Sequence, residues 1–232
     1  VFGCGFATRT LPVAGANAHI TRATTTIDDT TGNDGWLRIV DTPTGTMAYN
    51  ITVSKNGYST DYTLAPSATN TSPAKLPSNV ASQMVTEISF SIDWLANLNI
   101  HTLNPDCSAK PSVSFNLHSS KKIGLDPVIY KYDRNLITDG AGNLALPNME
   151  WDRKYYANAS GTVYDLAGSI PFLPLNLAPG SNQELTLILK PKTTHSLLVG
   201  VADAGTGLPL SAATVRLIGT GYDENVVTGV GY

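Results

Sequence analysis

Acidic and aromatic side chains concentrate in one stretch of the chain, where Glu150, Asp152 and Asp165 stand beside Trp151, Tyr155, Tyr156 and Tyr164. Paired carboxylates next to stacking rings suit a sugar site: a hydrolytic one if the two acids face a glycosidic bond, a passive glycan-binding surface if they do not. Alternating aromatics on a strand serve equally as core and cross-strand pairs, and that reading stands beside the first.

A second group is Asp28, Asp29, Asn33 and Asp34. Calcium takes several oxygen ligands from one flexible loop, so this run is a weak cation candidate, although its spacing is not that of an EF-hand and Asp and Asn are ordinary turn residues. His19, His101, His118 and His195 are scattered through strand-like runs with no metal-type spacing, which argues against zinc. Cys4 and Cys107 fit an oxidising compartment, where one disulfide would join the opening of the chain to a residue about a hundred positions on. A rival reading takes the residues around Cys4 as a lipid-attachment signal, against which stand the three residues that precede it.

Nothing else in the sequence carries chemistry. There is no Gly-x-Ser-x-Gly elbow, no His-Glu-x-x-His and no phosphate loop, and no His lies near either Cys. No cofactor is implied. A net charge of −3 offers no basic face for phosphates, which disfavours nucleic acid. Only 14% of the 232 residues are charged, against about 25% in ordinary soluble chains, so Thr, Ser, Asn and Gly must build the surface, a composition suited to extracellular β-proteins. No apolar run approaches the roughly 18 residues of a membrane span, and the sequence reads as a mature or trimmed soluble segment.

The elements that must position these groups are strands. Apolar and polar residues alternate, as in Tyr49, Asn50, Ile51, Thr52, Val53 and Ser54, and 14 Pro with 20 Gly leave helical turns only at 83–85 and 95–97. One arrangement repeats: a strand-like run at 85–93 leads into another at 98–103, and 184–189 leads into 196–201. Openings at Leu98 and Ser196 are 98 residues apart, and one more step of that length reaches the chain start. Three modules follow, at 1–96, 97–192 and 193–232. Each carries a small-residue turn running into a strand, at 11–20, 111–117 and 207–217, and then a Gly turn at Thr31 to Leu37, Thr138 to Leu144 and Thr228 to Tyr232.

Short strands between turns at this spacing predict an all-β chain of tandem Ig-like or transthyretin-like β-sandwiches. The third module has too few strands to close. Its apolar residues, Leu198, Val199, Val215 and Leu217 among them, need either continuing sequence past Tyr232 or a neighbouring subunit to cover them. The 59–79 stretch, poor in large apolar residues after Leu64, is expected to be a long surface loop and a contact point for another chain or a ligand. Trp36 and Trp94 are expected in the core or at module junctions.

Several of these motifs together resemble the carboxypeptidase regulatory-like modules, related to transthyretin-like and collagen-adhesin B-type repeats. They are Pro12-Val13-Ala14-Gly15-Ala16-Asn17, the Thr31, Asp34, Gly35 and Trp36 turn, Val53-Ser54-Lys55-Asn56-Gly57-Tyr58, and the run from Ala204 to Val215. The second module departs from the pattern at Glu150 to Asp152. The resemblance implies sandwich modules of secreted or cell-surface proteins, including pili and adhesive stalks, with other copies or further modules as partners. The adhesin-type relatives often carry a Lys to Asn cross-link. Lys55 and Lys131 could offer the amine, but no Lys lies at the usual place in the opening strands. Asn50, Asn70 and Asn158 head formal glycosylation sequons. The expected function is a non-enzymatic extracellular stalk, pilus-like or filament subunit at a microbial surface. An adhesive or glycan-binding array and an accessory segment of a larger secreted enzyme are the alternatives.

Overall fold

The computed structural model describes residues 11–161, 163–195, 197 and 199–229, and these residues contain no helix. The strands are β1 (Asn17–Arg22), β2 (Thr25–Thr30), β3 (Gly45–Ser54), β4 (Asp61–Tyr62), β5 (Ser72–Pro73), β6 (Ser78–Val80), β7 (Ala96–Leu103), β8 (Ser114–Ser119) and β9 (Lys122–Asp126). They continue with β10 (Val128–Tyr130), β11 (Asp133–Ile137), β12 (Asn143–Met149), β13 (Asp152–Ala159), β14 (Tyr164–Ile170), β15 (Leu175–Leu177), β16 (Asn182–Pro191), β17 (Thr214–Gly219) and β18 (Tyr222–Val227). The chain is an all-β protein built of sandwich modules. Its residues group into two compact units, one of the described residues up to Trp94 with Ile123–Ile129, the other of Leu95–Lys122 with the described residues from Tyr130 onward.

In the first unit the sheet order is β2-β1-β3-β4, with β6 also on β3. Strand period fixes the faces. Ala18 and Ile20 of β1 and Tyr49, Ile51 and Val53 of β3 point into one core, while the outward row pairs His19 with Asp28 and with Thr52. Ile88, Phe90 and Ile92 close this core by alternation, yet 85–93, expected as a strand, lies in no ladder. Asp61 explains part of this: its Oδ2 accepts the Ser91 amide at 2.9 Å and the Lys75 ammonium at 2.6 Å, so a side chain takes a donor that a ladder would use.

Several other expectations are corrected here. The 59–79 stretch is no free loop. It contains β4 and β5, buries Ser59, Thr63 and Asn70, and pairs β5 with β9 in the sheet β10-β9-β5. Residues Ile123–Ile129, which lie in sequence inside the second module, therefore belong to the first unit. Trp36 and Trp94 are about half exposed, at 46% and 53%, and neither is core. Trp94 instead lies over Tyr58, with ring centroids 4.3 Å apart. No helical turn forms at 83–85 or 95–97, since Ala96 already opens β7.

The second unit holds two four-stranded sheets, β11-β8-β13-β15 and β12-β7-β16-β14. Leu98 and Ile100 of β7, Phe115 and Leu117 of β8, Tyr155 of β13 and Leu185, Leu187 and Leu189 of β16 meet between them, almost all without solvent contact. The order β11-β8-β13-β15 reproduces β2-β1-β3-β4: in each, the central pair is antiparallel and sets Ile20 against Ile51 or Leu117 against Ala157. The turn before β12 needs its glycine. Gly142 has φ +78°, and a Cβ there would sit 2.8 Å from the Thr102 carbonyl and 2.9 Å from that of Lys110.

The described part of 193–232 contains one ladder, the hairpin β17–β18, whose two-residue turn matches that of β1–β2. Ser196 and Leu198 lie outside the described residues, the described residues of the expected strand at 196–201 are in no ladder, and the next residue, Ala202, forms an isolated bridge with Pro209. Ile218, Val226 and Val227 of the hairpin are exposed.

Candidate functional site

The acidic and aromatic cluster is split by the pleat of β13. Tyr155 points inward and is fully buried, and its hydroxyl donates to the Glu150 carbonyl at 2.7 Å. Burial pushes its pKa far up, so it serves as a permanent donor. Asp152 is buried as well, at 4% exposure. Its Oδ2 accepts the amides of Ser120 (2.6 Å) and Lys121 (3.1 Å), and its Oδ1 accepts the Ser120 hydroxyl (2.8 Å) and the Lys154 amide (3.2 Å). Both oxygens are occupied in holding the loop after β8. Glu150 accepts two ammonium groups, Lys121 and Lys131, each at 2.8 Å. Lys121 also lies 3.5 Å from the centre of the Trp151 ring, and burial lowers its pKa.

Tyr156 faces the other way. On the outer face of the sheet, His118 stacks on Tyr156 (5.2 Å between centroids) and meets Tyr130 at a tilt (4.6 Å). Tyr164 lies on β14 under the Lys110 ammonium at 4.4 Å, and Asp165 accepts the Thr193 amide. The residues read as one surface are thus dispersed over a core, a loop anchor and two sheets. None of the carboxylates is left as a bare acid or base beside a cleft.

The cation candidates are similarly engaged. Asp28 pairs with His19 at 2.6 Å, Asp29 accepts the Thr30 amide, and Asp34 accepts the Trp36 amide and pairs with Arg38 at 2.9 Å, contacts that lower its pKa in that order. Asn33 is exposed. Among the described residues, no group of three or more His, Cys, Asp or Glu is arranged to hold an ion. Cys107 is exposed and Cys4 lies outside the described residues. The Lys55 ammonium donates to the Ala14 carbonyl at 2.8 Å. Asn50 and Asn158 are exposed on their strands, whereas the Asn70 sequon is closed off, its amide donating to the Ile123 carbonyl at 2.9 Å.

A polar site that the sequence did not suggest lies on the parallel pair β7 and β16. Their register sets Asn97 beside Asn182 and Asn99 beside Glu184. The Asn97 amide donates to Asn182 Oδ1 (2.6 Å), and Glu184 accepts from Asn99 (2.9 Å) and from His101 Nε2 (2.6 Å), while His101 Nδ1 meets Asn143 Oδ1 at 2.7 Å. The Asn143 and Glu184 contacts, in that order, raise the pKa of His101, and Asn99 followed by His101 lowers that of Glu184. Beside the start of β16 a groove of about 550 Å³ opens between this row and the segment before β15. The partners are 42 to 85 residues apart in sequence, so no local motif marks them.

No family model matches the chain, and no curated protein matches it. Among solved structures it is similar to the Bacillus anthracis TIE protein, at 13% identity and a TM-score of 0.30, over 78% of this chain and 31% of that one. It is also similar to the shaft pilin SpaA from Lactobacillus rhamnosus GG, at 12% identity and a TM-score of 0.28 over 79% of this chain and 90% of that one. A variant of the same pilin gives 11%, 0.32, 79% and 87%.

Proposed function

We propose that this chain is a non-enzymatic structural protein of a microbial cell surface, a tandem-sandwich stalk or pilus-like filament subunit of the carboxypeptidase regulatory-like kind. The observation that carries the reading is the reuse of one construction: the order β2-β1-β3-β4 recurs as β11-β8-β13-β15, and β17–β18 repeats its opening hairpin. Repetition of a stable unit extends a surface without adding chemistry. Asp152 and Glu150 are spent on loop anchoring and ion pairing, which agrees with a structural role. The sparse charge and the Thr-, Ser- and Asn-rich surface suit an extracellular location.

The partners are other copies of the chain or further modules of the same surface protein. On the hairpin, β17 pairs among the described residues with β18, whereas its counterparts β1 and β8 are each flanked on both edges. The test is intact mass of the protein from its native source, with electron microscopy of the same sample. Fibres or a multi-module polypeptide are expected. A monodisperse particle of this chain's mass alone, with no assembly at any concentration, overturns the reading.

A further inference from the structure

We propose that the run 196–201 of one copy lies parallel on the free edge of 85–93 in the next copy and joins the chains head to tail. The inference rests on the filament reading and supplies a contact for it.

Residues 85–93 form an extended run without a ladder. Ile88 and Phe90 pack on the first core as Leu185 and Leu187 of β16 pack in the second. In an extended chain the backbone groups of successive residues point to opposite edges. One edge of the run is occupied: the Ser91 amide donates to Asp61 Oδ2 at 2.9 Å, the Asp93 amide to Ser59 Oγ at 3.2 Å, and the Ser89 carbonyl accepts the Lys75 ammonium at 3.0 Å. The other edge carries the backbone groups of Ile88, Phe90 and Ile92, which have no backbone partner among the described residues. In β16 this is the edge that receives β7. The Asn97 amide donates to the Ser181 carbonyl, so every second residue from Ser181, Leu185 and Leu187 included, faces β7, with Leu185 beside Ile100 and Leu187 beside Thr102.

The other half of such a pair lies before the hairpin β17–β18. At the end of β7 the Lys110 amide donates to the Thr102 carbonyl at 2.8 Å and Leu103 bridges Ala109. After the run 196–201 the Leu210 amide donates to the Val201 carbonyl at 2.9 Å and Ala202 bridges Pro209. The match continues into the next turn, where Thr138 Oγ1 accepts the Val113 amide at 3.0 Å and Thr228 Oγ1 accepts the Ala213 amide at 2.9 Å. Val201 thus holds the place of Thr102, Gly200 that of His101 and Val199 that of Ile100. The edge that β7 gives to β16 has no partner at Val199 to Val201 among the described residues, and Leu197 and Val199 are 72% and 43% exposed.

One chain therefore carries a closing run without its opening strand and an opening run without its closing strand. Transferring the β7–β16 register sets Val199 beside Ile88 and Val201 beside Phe90, apolar against apolar. The run 196–201 suits the edge better than Val1–Thr10, whose Gly3 and Gly5 weaken a strand. Each copy contributes a different surface, so the contact can repeat without closing, as a filament requires.

The test is amide hydrogen exchange of the intact chain over a range of concentrations, with electron microscopy of the same samples. Exchange at Ile88, Phe90 and Ile92 is expected to be fast in the dilute monomer and to slow by about tenfold or more on assembly. A synthetic peptide of residues 194–203 at millimolar concentration should protect the same amides in the monomer and shorten the fibres. The peptide with Gly200→Pro, which lacks an amide on the pairing edge, should do neither. A wild-type peptide without effect overturns the proposal. Protection equally strong at every dilution also overturns it, because a segment of the same chain then fills the edge. Fibres in which these amides stay unprotected overturn it as well, while the filament reading survives through another contact. Absence of any assembly removes both.

Discussion

Tyr49 and Tyr155 hold the same place in the two sandwiches. Each is a buried inward residue of the strand next to the module's central strand, and each hydroxyl donates to a backbone carbonyl a few residues upstream, Tyr49 to Pro43 at 2.5 Å and Tyr155 to Glu150 at 2.7 Å. The bond ties the incoming segment to the strand that follows it, as the tyrosine corner does in immunoglobulin-type sandwiches. It explains why a phenol, rather than a phenyl ring, is kept in a core position.

Tyr155→Phe keeps the ring and removes the donor, leaving the Glu150 carbonyl unpaired. The expected loss is about 1–2 kcal/mol, read as a lower urea midpoint at constant slope. Tyr155→Ala adds a cavity in the core and should cost about 3–5 kcal/mol. Equal midpoints for the wild type and Tyr155→Phe would show that the hydroxyl contributes nothing.

Asp152 anchors the loop after β8 through three hydrogen bonds, from the Ser120 amide and hydroxyl and the Lys121 amide, and accepts a fourth from the Lys154 amide of its own strand. Asp152→Asn replaces one acceptor with a donor that faces donors, so at least one of these bonds is lost and a clash of N–H groups is introduced. A destabilisation of about 2–3 kcal/mol is expected. Faster amide exchange at Ser120 and Lys121 than in the wild type would locate the effect, and unchanged exchange there would contradict it.

The period-2 pattern made the sandwich class legible, because burial alternates along β7 and β8, through Ala18 and Ile20 of β1 and through Tyr49, Ile51 and Val53 of β3, while β16 departs from it where Leu187, Ile188 and Leu189 are all buried. It misplaced Asp152 for a definite reason. Counting back from outward-facing Tyr156 in steps of two puts Asp152 outside, but the ladder shifts between Asp152 and Tyr155, and the irregularity turns the carboxylate inward. The row of Asn97, Asn99, His101, Asn182 and Glu184 was invisible for another reason. It exists only through the parallel pairing of β7 with β16, and a parallel partner leaves no local mark in either strand.

That row carries a pH dependence. The folded-state pKa of His101 lies above its ordinary 6.5, through Asn143 first and Glu184 second, so protonation stabilises the fold. This contribution is complete below the unfolded value and disappears as pH rises through the folded one. Glu184 is shifted down from 4.5, so its contribution is present above that value and is lost in acid. Stability should therefore hold from about pH 5 to 6.5 and decline on the alkaline side, by less than about 1 kcal/mol because solvent screens the pair, His101 being 40% and Glu184 61% exposed. Melting curves at low and high salt check this: the alkaline decline should shrink with salt and vanish in His101→Gln.

The last expectation concerns Asn70 and Gly124, which lie 54 residues apart and meet where β5 joins β9. The Asn70 amide donates to the Ile123 carbonyl at 2.9 Å, and the Thr71 hydroxyl donates to the Asp126 carbonyl at 2.7 Å, so residues Ile123–Ile129 are held by side chains as well as by the short ladder. Gly124 leaves no room for a side chain: a Cβ would stand 2.7 Å from Asn70 Oδ1 and 3.0 Å from two carbons of Ile129. Gly124→Ala must displace the Asn70 amide, whereas Asn70→Ala removes it and leaves space. Both should release Ile123–Ile129 to proteolysis at Leu125 while the cores of the two units stay protected. Adding Asn70→Ala to Gly124→Ala should then cost little more than either change alone, since both act on one contact. Additive losses in the double variant would mean that the two residues hold the segment independently, and the clasp would have to be assigned to the β5–β9 ladder itself.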